Sequence, residues 1–393
     1  MRWFIDFNRL DLRQREVLDS ITRLLRNRHW IQGFAGTGKT LVVAHLIERV
    51  ASLERNASLC FITYTHALKD LVATGFHGPV ADRVAIKTHT RFLSDRVTYD
   101  YVFLDEVQDI RKGDLERIKG LSRHLYIAGD PDQRIYEQGA KEVDIESSVQ
   151  PVSWKLMNMH RLTKRLRDIA LSILPNAKII EGSEVKELAN VSIDVMRFDS
   201  KGAEFDWVWK EALSRSKPLD PSVILFSTHK AIEEFSNKVA DALNIELPPA
   251  VERVYGKGRD YAPFNEHWKE NGVPLVYLGN GFGSLPDSDT RPIVYLMTFH
   301  SSKGLDFENV FIPGMNDSAW IISKKALEID PELDRRLLFV AVTRSRKKLV
   351  ISYSGSRPHR YIANLPNTTV THNPGSDIAS SGPDFDFDDG DFF

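Results

Sequence analysis

The chain has 393 residues, of which 42% are hydrophobic and 27% are charged, with a formal net charge of −2. This length allows two or three domains with sizeable cores, and the composition excludes a disordered or fibrous protein. The single cysteine, Cys60, excludes an intramolecular disulfide and fits a reducing compartment. No apolar run approaches the ~20 residues of a membrane span, and the first residues lack a signal-peptide pattern, so we expect a cytoplasmic protein with no membrane partner.

The negative charge is concentrated at the end of the chain. Residues 375–393 contain six Asp and no Lys or Arg, so residues 1–374 alone carry a formal charge of +4. A charge of this size on such a long segment does not by itself indicate nucleic-acid binding. Composition therefore leaves the function class open.

Short apolar strands alternate with helices in the first part of the chain. A helix is predicted over residues 6–29, followed by the apolar pair Trp30-Ile31, a glycine-rich loop and a helix over Leu41–Val50. The next predicted strands are Leu59–Thr63, Tyr101–Leu104 and Leu125–Ala128, and a helix is predicted over Ala67–Val72. This alternation predicts a parallel sheet covered by helices.

The same alternation returns in the second half. Its predicted strands are Val223–Ser227, Pro274–Leu278, Ile293–Thr298, Val310–Pro313 and Lys348–Tyr353, and its predicted helices are Lys230–Leu243 and Leu333–Val342. We place a first domain at residues 1–150 and a second at residues 151–366, because Val149-Gln150-Pro151 interrupts the pattern. Residues 367–393 are rich in Thr, Asn, Gly, Ser and Asp, which predicts a disordered acidic tail.

One segment of the first domain has a specific chemical signature. Gly33–Thr40 matches the phosphate-binding pattern G-x-x-x-x-G-K-[ST] between a predicted strand and a predicted helix. The candidate nucleotide-binding residues here are Gly33, Ala35, Gly36, Thr37, Gly38, Lys39 and Thr40. Lys39 would pair with the β- and γ-phosphates, and the Thr40 hydroxyl would bind Mg²⁺. The sequence therefore predicts ATP and Mg²⁺ as cofactors.

Two carboxylates follow the predicted strand Tyr101–Leu104. The carboxyl end of a parallel strand lies over a bound nucleotide, so Asp105 is placed to hold Mg²⁺. Glu106 is then the natural group to orient or deprotonate an attacking water. Alone, this segment could equally be an acidic turn between a strand and a helix. Beside a phosphate loop, the catalytic interpretation is favoured.

Residues 10–353 resemble the superfamily 1 DNA helicases of the UvrD/Rep type. The segments that carry the resemblance, in the family's order, are Leu10–Gln14, Phe61–Ala67, Asp105–Asp109, Gly129–Tyr136, Leu156–Thr163, Thr298–Phe307 and Phe339–Ser345. The resemblance implies an α/β fold of two RecA-like P-loop domains, each a mostly parallel sheet flanked by helices. It also implies that the ATP site lies in the cleft between the domains.

The resemblance assigns roles to individual residues. The implied catalytic residues are Lys39, Glu106, Gln133, Arg161 and Arg344. Gln133 and Arg161 would contact the γ-phosphate, and Arg344 would be an arginine finger, which is typically worth ~10³–10⁵ in rate. Gln14 would read adenine, while Gly304 and Asp306, which stands where the family has Glu, would lie near the nucleotide. The implied DNA contacts are Thr65, His66, Thr88, Phe92, Tyr136, Thr298 and His300.

Three departures from the family concern the motor itself. Glu137-Gln138 stands where relatives usually carry an aromatic residue and an arginine, so an expected base-stacking ring is missing. His160 replaces the Tyr expected before Arg161, and it could still stack on adenine. The large insertions of each core domain look absent. We therefore expect a minimal motor that moves on single-stranded DNA or at a junction with duplex, in the 3′-to-5′ direction that the family favours, and unwinds duplex poorly unaided.

Other functions stay open at this point. A nucleotide-gated regulatory ATPase subunit of a larger complex, conceivably with a nuclease partner, would use the same phosphate site. A small-molecule kinase is disfavoured because Gly129–Tyr136 and Thr298–Phe307 have no role there. The four Phe among the Asp residues of 375–393 indicate either a solvating end or a docking peptide, for a protein partner or for the chain's own DNA channel.

Overall fold

The computed structural model describes residues 4–160, 162–177, 191–254, 258–366 and 368–373. The chain folds as two compact units, of which the first runs to Thr163 and the second contains Lys164–Asn176 and the described residues from 191 onward. The first unit thus extends beyond the boundary that we predicted at residue 150. Arg161 and the docking peptide predicted over residues 375–393 lie outside the described residues.

The first unit is built on a parallel sheet. Its strands are β1 (His29–Gly33), β2 (Leu59–Thr63), β3 (Val84–Thr88), β4 (Tyr99–Leu104), β5 (Ser122–Gly129) and β6 (Val152–Leu156). They lie in the order β3-β2-β4-β5-β1-β6, and every pair is parallel. Its helices are α1 (Leu12–Arg23), α2 (Lys39–Leu53), α3 (His66–Ala73), α4 (Gly78–Arg83), α5 (His89–Asp95), α6 (Lys112–Gly120) and α7 (Glu142–Val149). β2 is buried along its whole length, as expected for a parallel strand inside a helix-covered sheet.

This strand order positions the candidate site. The glycine-rich loop follows β1, Asp105 follows β4 and Asp130 follows β5, and these strands are neighbours in the order β4-β5-β1. Their carboxyl ends meet at one edge of the sheet, so residues far apart in sequence come together there. Gly38, the N-cap of α2, has φ 83°, in the left-handed region that favours glycine.

The second unit is built on a larger parallel sheet. Its strands are β7 (Ser192–Phe198), β8 (Ser222–Phe226), β11 (Leu275–Tyr277), β12 (Val294–Thr298), β13 (Phe307–Ile312), β14 (Ser345–Ser354) and β15 (Val370–Asn373), while β9 (Arg253–Val254) and β10 (Gly258–Arg259) form a separate antiparallel pair. The sheet order is β11-β12-β8-β13-β14-β7-β15, with all pairs parallel. The helices are α8 (Lys164–Ile173), α9 (Lys201–Arg215), α10 (His229–Leu243), α11 (Ala262–Glu270), α12 (Lys324–Ile329) and α13 (Leu333–Val342).

Two mostly parallel sheets flanked by helices confirm the predicted α/β class. The ends of the domains differ from the prediction. Val152–Leu156 pairs with β1 and completes the first sheet rather than starting the second domain. Val370–Asn373 pairs with β7, although we expected disorder from residue 367 onward, because the open edge of β7 offers backbone groups that a short extended segment satisfies. No helix in the described ranges is long and apolar enough to cross a bilayer.

Candidate nucleotide site and nucleic-acid interface

The phosphate loop is held in shape by its own side chains. Lys39 is buried, and its Nζ donates hydrogen bonds to the carbonyls of Gly33 and Phe34 at 2.7 and 3.3 Å. The Thr37 hydroxyl donates to the Phe34 carbonyl at 3.0 Å. A Cβ on Gly33 would lie 2.4 Å from Thr37 Oγ1, so the loop requires glycine there. The ammonium and the first N–H groups of α2 are the donors that a phosphate group needs.

Thr40 and Asp105 meet at the edge of the sheet. The Thr40 hydroxyl donates to Asp105 Oδ2 at 2.6 Å, and Asp105 is fully buried. Burial, together with the neighbouring Glu106 carboxylate, raises the pKa of Asp105. A hydroxyl beside a buried carboxylate is a set of oxygen ligands suited to Mg²⁺, which completes its shell with phosphate oxygens and water. Asp105 and Thr40 would hold the cation, which would neutralise charge on the phosphates.

Glu106 leaves the strand in an uncommon backbone conformation. Its φ of 56° and ψ of 44° lie in the left-handed region, which costs free energy for a residue with a Cβ. Its Oε2 accepts a hydrogen bond from Gln108 Nε2 at 2.6 Å. The side chain is buried and held beside Asp105, as a candidate base requires.

The loop after β5 adds a third buried carboxylate. Burial raises the pKa of Asp130 to about 6, while the positive charge of Lys39 acts in the opposite direction. Asp130 accepts hydrogen bonds from Gln133 Nε2 at 2.6 Å and from the Asp132 amide at 3.1 Å. Gln133, the predicted γ-phosphate sensor, is therefore positioned by a residue that our sequence prediction assigned no role.

The start of α1 packs on the phosphate loop. Asp11 and Gln14 form a reciprocal capping box, with the Gln14 amide donating to Asp11 Oδ1 at 2.7 Å and the Asp11 amide to Gln14 Oε1 at 3.0 Å. Gln14 Nε2 then donates to the Thr37 carbonyl at 3.0 Å. His160 shares a hydrogen bond with Asp11 at 2.5 Å, and its backbone N–H donates to the Gly36 carbonyl at 2.9 Å. Gln14 and His160, the two residues predicted to contact adenine, thus both contact the phosphate loop.

The second unit holds Arg344 in a dense set of contacts. The guanidinium is buried and donates to the Val340 carbonyl at 2.8 Å, the Leu305 carbonyl at 3.0 Å and the Thr343 hydroxyl at 2.9 Å. Its Nη1 lies 3.9 Å from Asp306 Oδ1. The structure therefore brings Asp306 and Arg344 together, and their predicted action on a nucleotide stays a prediction.

Three rings pack together at the carboxyl edge of the first sheet. Tyr64 packs against His89 with ring centroids 4.6 Å apart and against Tyr136 with centroids 4.3 Å apart. Tyr64 and His89 directly follow the adjacent strands β2 and β3, and all three residues are half-buried. The sequence prediction included Tyr136 but missed the other two. The signal was present, since an aromatic residue follows each of two strands that pair in the sheet.

The other predicted DNA contacts of the first unit differ in position. Thr65 and Thr88 are helix N-caps, whose hydroxyls accept from backbone amides of α3 and α5. His66 is exposed at the start of α3. Phe92 is only 1% exposed and belongs to the hydrophobic core of the first unit. The ring therefore packs inside the unit and is not exposed to a bound base, which corrects our prediction for Phe92.

The predicted DNA contacts of the second unit lie at the end of β12 and in the turn that follows it. Thr298 is buried, and its hydroxyl donates to Ser301 Oγ at 2.9 Å while accepting from the Ser301 amide at 3.1 Å. Burial lowers the pKa of His300 to about 4, so the imidazole is neutral at pH 7. Gly304 has φ 83°, which favours glycine in this turn.

Three features meet at this edge of the sheet: the phosphate loop after β1, the pair of Thr40 with Asp105 after β4, and the loop after β5 that carries Gln133. Together they define a P-loop nucleotide-binding protein. The family models agree with this class. Residues 14–139 match a model described as an AAA domain, and residues 283–356 match the UvrD-like helicase C-terminal domain.

Curated relatives point the same way. A probable DNA helicase II homolog of Mycoplasma capricolum subsp. capricolum is 26% identical over 50% of this chain and 29% of its own length. The ATP-dependent DNA helicase Rep of Buchnera aphidicola subsp. Schizaphis graminum is 41% identical over 19% of this chain and 13% of its own length. DNA helicase II of Escherichia coli K12 is 39% identical over 20% of this chain and 12% of its own length.

Among solved structures, the PRRSV helicase aligns with a TM-score of 0.43 at 15% identity, over 90% of this chain and 57% of that chain. The family models and the curated relatives confirm the resemblance to the UvrD/Rep type of superfamily 1 helicases that the motifs indicated. The matched part spans less than a third of each of the three curated relatives.

Proposed function

We propose that the chain is a DNA-stimulated ATP hydrolase that moves on single-stranded DNA in the 3′-to-5′ direction. The observation that carries the proposal is the contact of Thr40 with Asp105 at 2.6 Å, beside the phosphate-loop Lys39 and next to Glu106. This set contains a phosphate ligand, a pair of cation ligands and a carboxylate that is not needed for the cation. A site built only to bind nucleotide would not need the last of these.

The roles in hydrolysis follow from these positions. The oxygen of a water forms a bond to the γ-phosphorus while the bond from that phosphorus to the β–γ bridging oxygen breaks. Glu106 orients this water and accepts its proton, and Lys39 offsets negative charge on the phosphates. Gln133, held by Asp130, contacts the γ-phosphate and distinguishes ATP from the products.

The stacked rings of the first unit support the nucleic-acid part of the proposal. Base stacking on an aromatic side chain is worth ~1–3 kcal/mol per base and tolerates any sequence, because every base has a π-face. Tyr64, with His89 and Tyr136 packed on it, would supply a platform that the missing aromatic near Glu137 does not. The neighbouring hydroxyl of Thr65 is suited to a phosphate contact.

The test is ATP turnover with and without a single-stranded oligonucleotide. We expect clear stimulation, and Lys39→Ala serves as the inactive control because it removes the phosphate ligand. Tyr64→Leu should weaken the stimulation by DNA while leaving DNA-free turnover intact, whereas Tyr64→Phe keeps the ring and should retain it. Wild-type turnover that does not respond to DNA would contradict the motor and favour a regulatory ATPase.

Direction is tested separately on oligonucleotides blocked at one end by streptavidin. A 3′-to-5′ motor displaces the block from the 5′ end and not from the 3′ end. Displacement from the 3′ end alone would contradict the proposed polarity without affecting the ATPase assignment.

A further inference from the structure

Gln108 uses both ends of its amide in the interior of the first unit. The side chain is fully buried on the short turn Val107–Asp109 that follows Glu106. Its Nε2 donates to Glu106 Oε2 at 2.6 Å, and its Oε1 accepts from the Asp130 backbone N–H at 3.1 Å. Two segments that follow different strands are thus joined through one amide group.

Only one orientation of this amide satisfies both neighbours. Exchanging the oxygen and nitrogen would point N–H groups at the Asp130 N–H and an oxygen at the Glu106 carboxylate, and both contacts would be repulsive. Glycines enclose the residue on two sides. A Cβ on Gly129 would lie 2.2 Å from Gln108 Oε1, and a Cβ on Gly139 would lie 2.3 Å from the Gln108 carbonyl oxygen. The amide therefore has a fixed place as well as a fixed orientation.

The connection continues beyond Asp130. Its Oδ2 accepts from Gln133 Nε2 at 2.6 Å, so hydrogen bonds run without a break from Glu106 through Gln108 and Asp130 to Gln133. The two ends are the group proposed to act on the water and the group proposed to contact the γ-phosphate.

We propose that Gln108 is a positioning residue for ATP hydrolysis, whose amide couples the position of Glu106 to the γ-phosphate contact of Gln133. The inference rests on the proposed hydrolytic function and deepens it. When Gln133 binds the γ-phosphate, the Asp130 loop and Gln108 fix Glu106 for attack by water. When the phosphate leaves, these hydrogen bonds no longer hold Glu106 in the position for attack. Gln108 therefore acts on the rate of the chemical step rather than on nucleotide affinity.

The experiment is a double-mutant cycle on turnover with Gln108→Leu, Gln133→Ala and the double variant. We expect each single variant to lower kcat at least tenfold, and we expect Gln108→Leu to change the Kd of a fluorescent ATP analogue less than threefold. Because the two residues act through one connection, the double variant should be no slower than the slower single variant. Two independent effects that multiply in the double variant, or a Gln108→Leu variant with normal kcat, would overturn the proposal.

Further variants separate positioning from folding. Gln108→Glu keeps the acceptor for the Asp130 N–H but cannot donate to Glu106 as a carboxylate, so we expect the same loss of kcat in a side chain of the same size. Ile118→Ala removes apolar contacts from the same unit away from the site and should retain kcat. Equal losses in Ile118→Ala would show that reduced stability, not positioning, explains the effect.

The cycle is read on DNA-free as well as DNA-stimulated turnover. A wild-type protein that hydrolyses ATP without responding to DNA would contradict the proposed motor, and the coupling would still be measured on the DNA-free rate.

Discussion

Replacing Arg344 by alanine is expected to lower both the stability of the second unit and the rate of hydrolysis. The guanidinium makes three buried hydrogen bonds, to Leu305, Val340 and Thr343. Hydrogen bonds of charged groups contribute about 1.5–3 kcal/mol each, so the loss of three should reduce the free energy of unfolding by roughly 4.5–9 kcal/mol. This is a large part of the 5–15 kcal/mol typical of a folded domain.

Asp306 determines part of this effect. Arg344→Ala removes a cation 3.9 Å from this buried carboxylate, while Arg346, whose Nη2 lies 3.4 Å away, has a partly exposed side chain. Loss of a nearby cation is costly for a buried carboxylate, so Asp306→Asn should restore part of the stability lost in Arg344→Ala. In the wild-type background the same Asp306→Asn change should destabilise the protein.

The assays separate the two consequences of Arg344→Ala. Urea unfolding of the nucleotide-free protein measures stability, and turnover in the absence of urea measures rate. An arginine finger predicts a loss of ~10³–10⁵ in kcat with ATP binding retained. Arg344→Lys keeps the charge but not the planar set of donors, and it should recover neither property fully. An alanine variant as stable as the wild type would refute the structural reasoning, and normal turnover of the folded variant would remove the finger role.

Three further outcomes follow from the described contacts. Burial lowers the pKa of His229 to about 3 and that of His359 to about 4, whereas in the unfolded chain each imidazole has a pKa of ~6.5 and binds more protons below it. Between pH 6.5 and 5 the free energy of unfolding of the second unit should therefore fall by roughly 1.5 kcal/mol for each of the two residues. Urea unfolding at the two pH values checks this, and His229→Gln should flatten the dependence. Gly129→Ala should lower the melting temperature by several degrees, since its Cβ would meet Gln108 Oε1 at 2.2 Å; an unchanged value would contradict the close packing. Thr40→Val should raise the Mg²⁺ concentration needed for half-maximal turnover, and an unaltered Mg²⁺ titration would exclude the hydroxyl as a ligand.

The sequence was sufficient for features whose cause is local. The phosphate loop needs only its glycines, Lys39 and a helix behind it, and the class of fold follows from alternating strands and helices. The connection of Gln108 to Asp130 could not be predicted, because it depends on β4 and β5 being neighbours in the sheet. Phe92 was misassigned for a related reason. Its motif position suggested a DNA contact, but its ring points into the core and packs on Tyr99, with ring centroids 5.9 Å apart.

Element ends were also beyond the reach of local patterns. The helix predicted over residues 6–29 ends at Arg23, because the chain must turn before His29 enters the sheet. Val152–Leu156 is mostly exposed, so its sequence lacks the apolar run typical of a central strand. Its place is set by the free edge of β1, which no pattern within residues 152–156 reveals.

The position of β1 between β5 and β6 has a consequence for the newly synthesised chain. Strand His29–Gly33 is synthesised before its two partners, which end at Gly129 and Leu156. At a synthesis rate of about 5–20 residues per second, the strand waits roughly 6–25 s before both neighbours exist. Its apolar Trp30-Ile31 pair must avoid other partners throughout this interval. The phosphate loop is thus made well before the sheet that holds it can be completed.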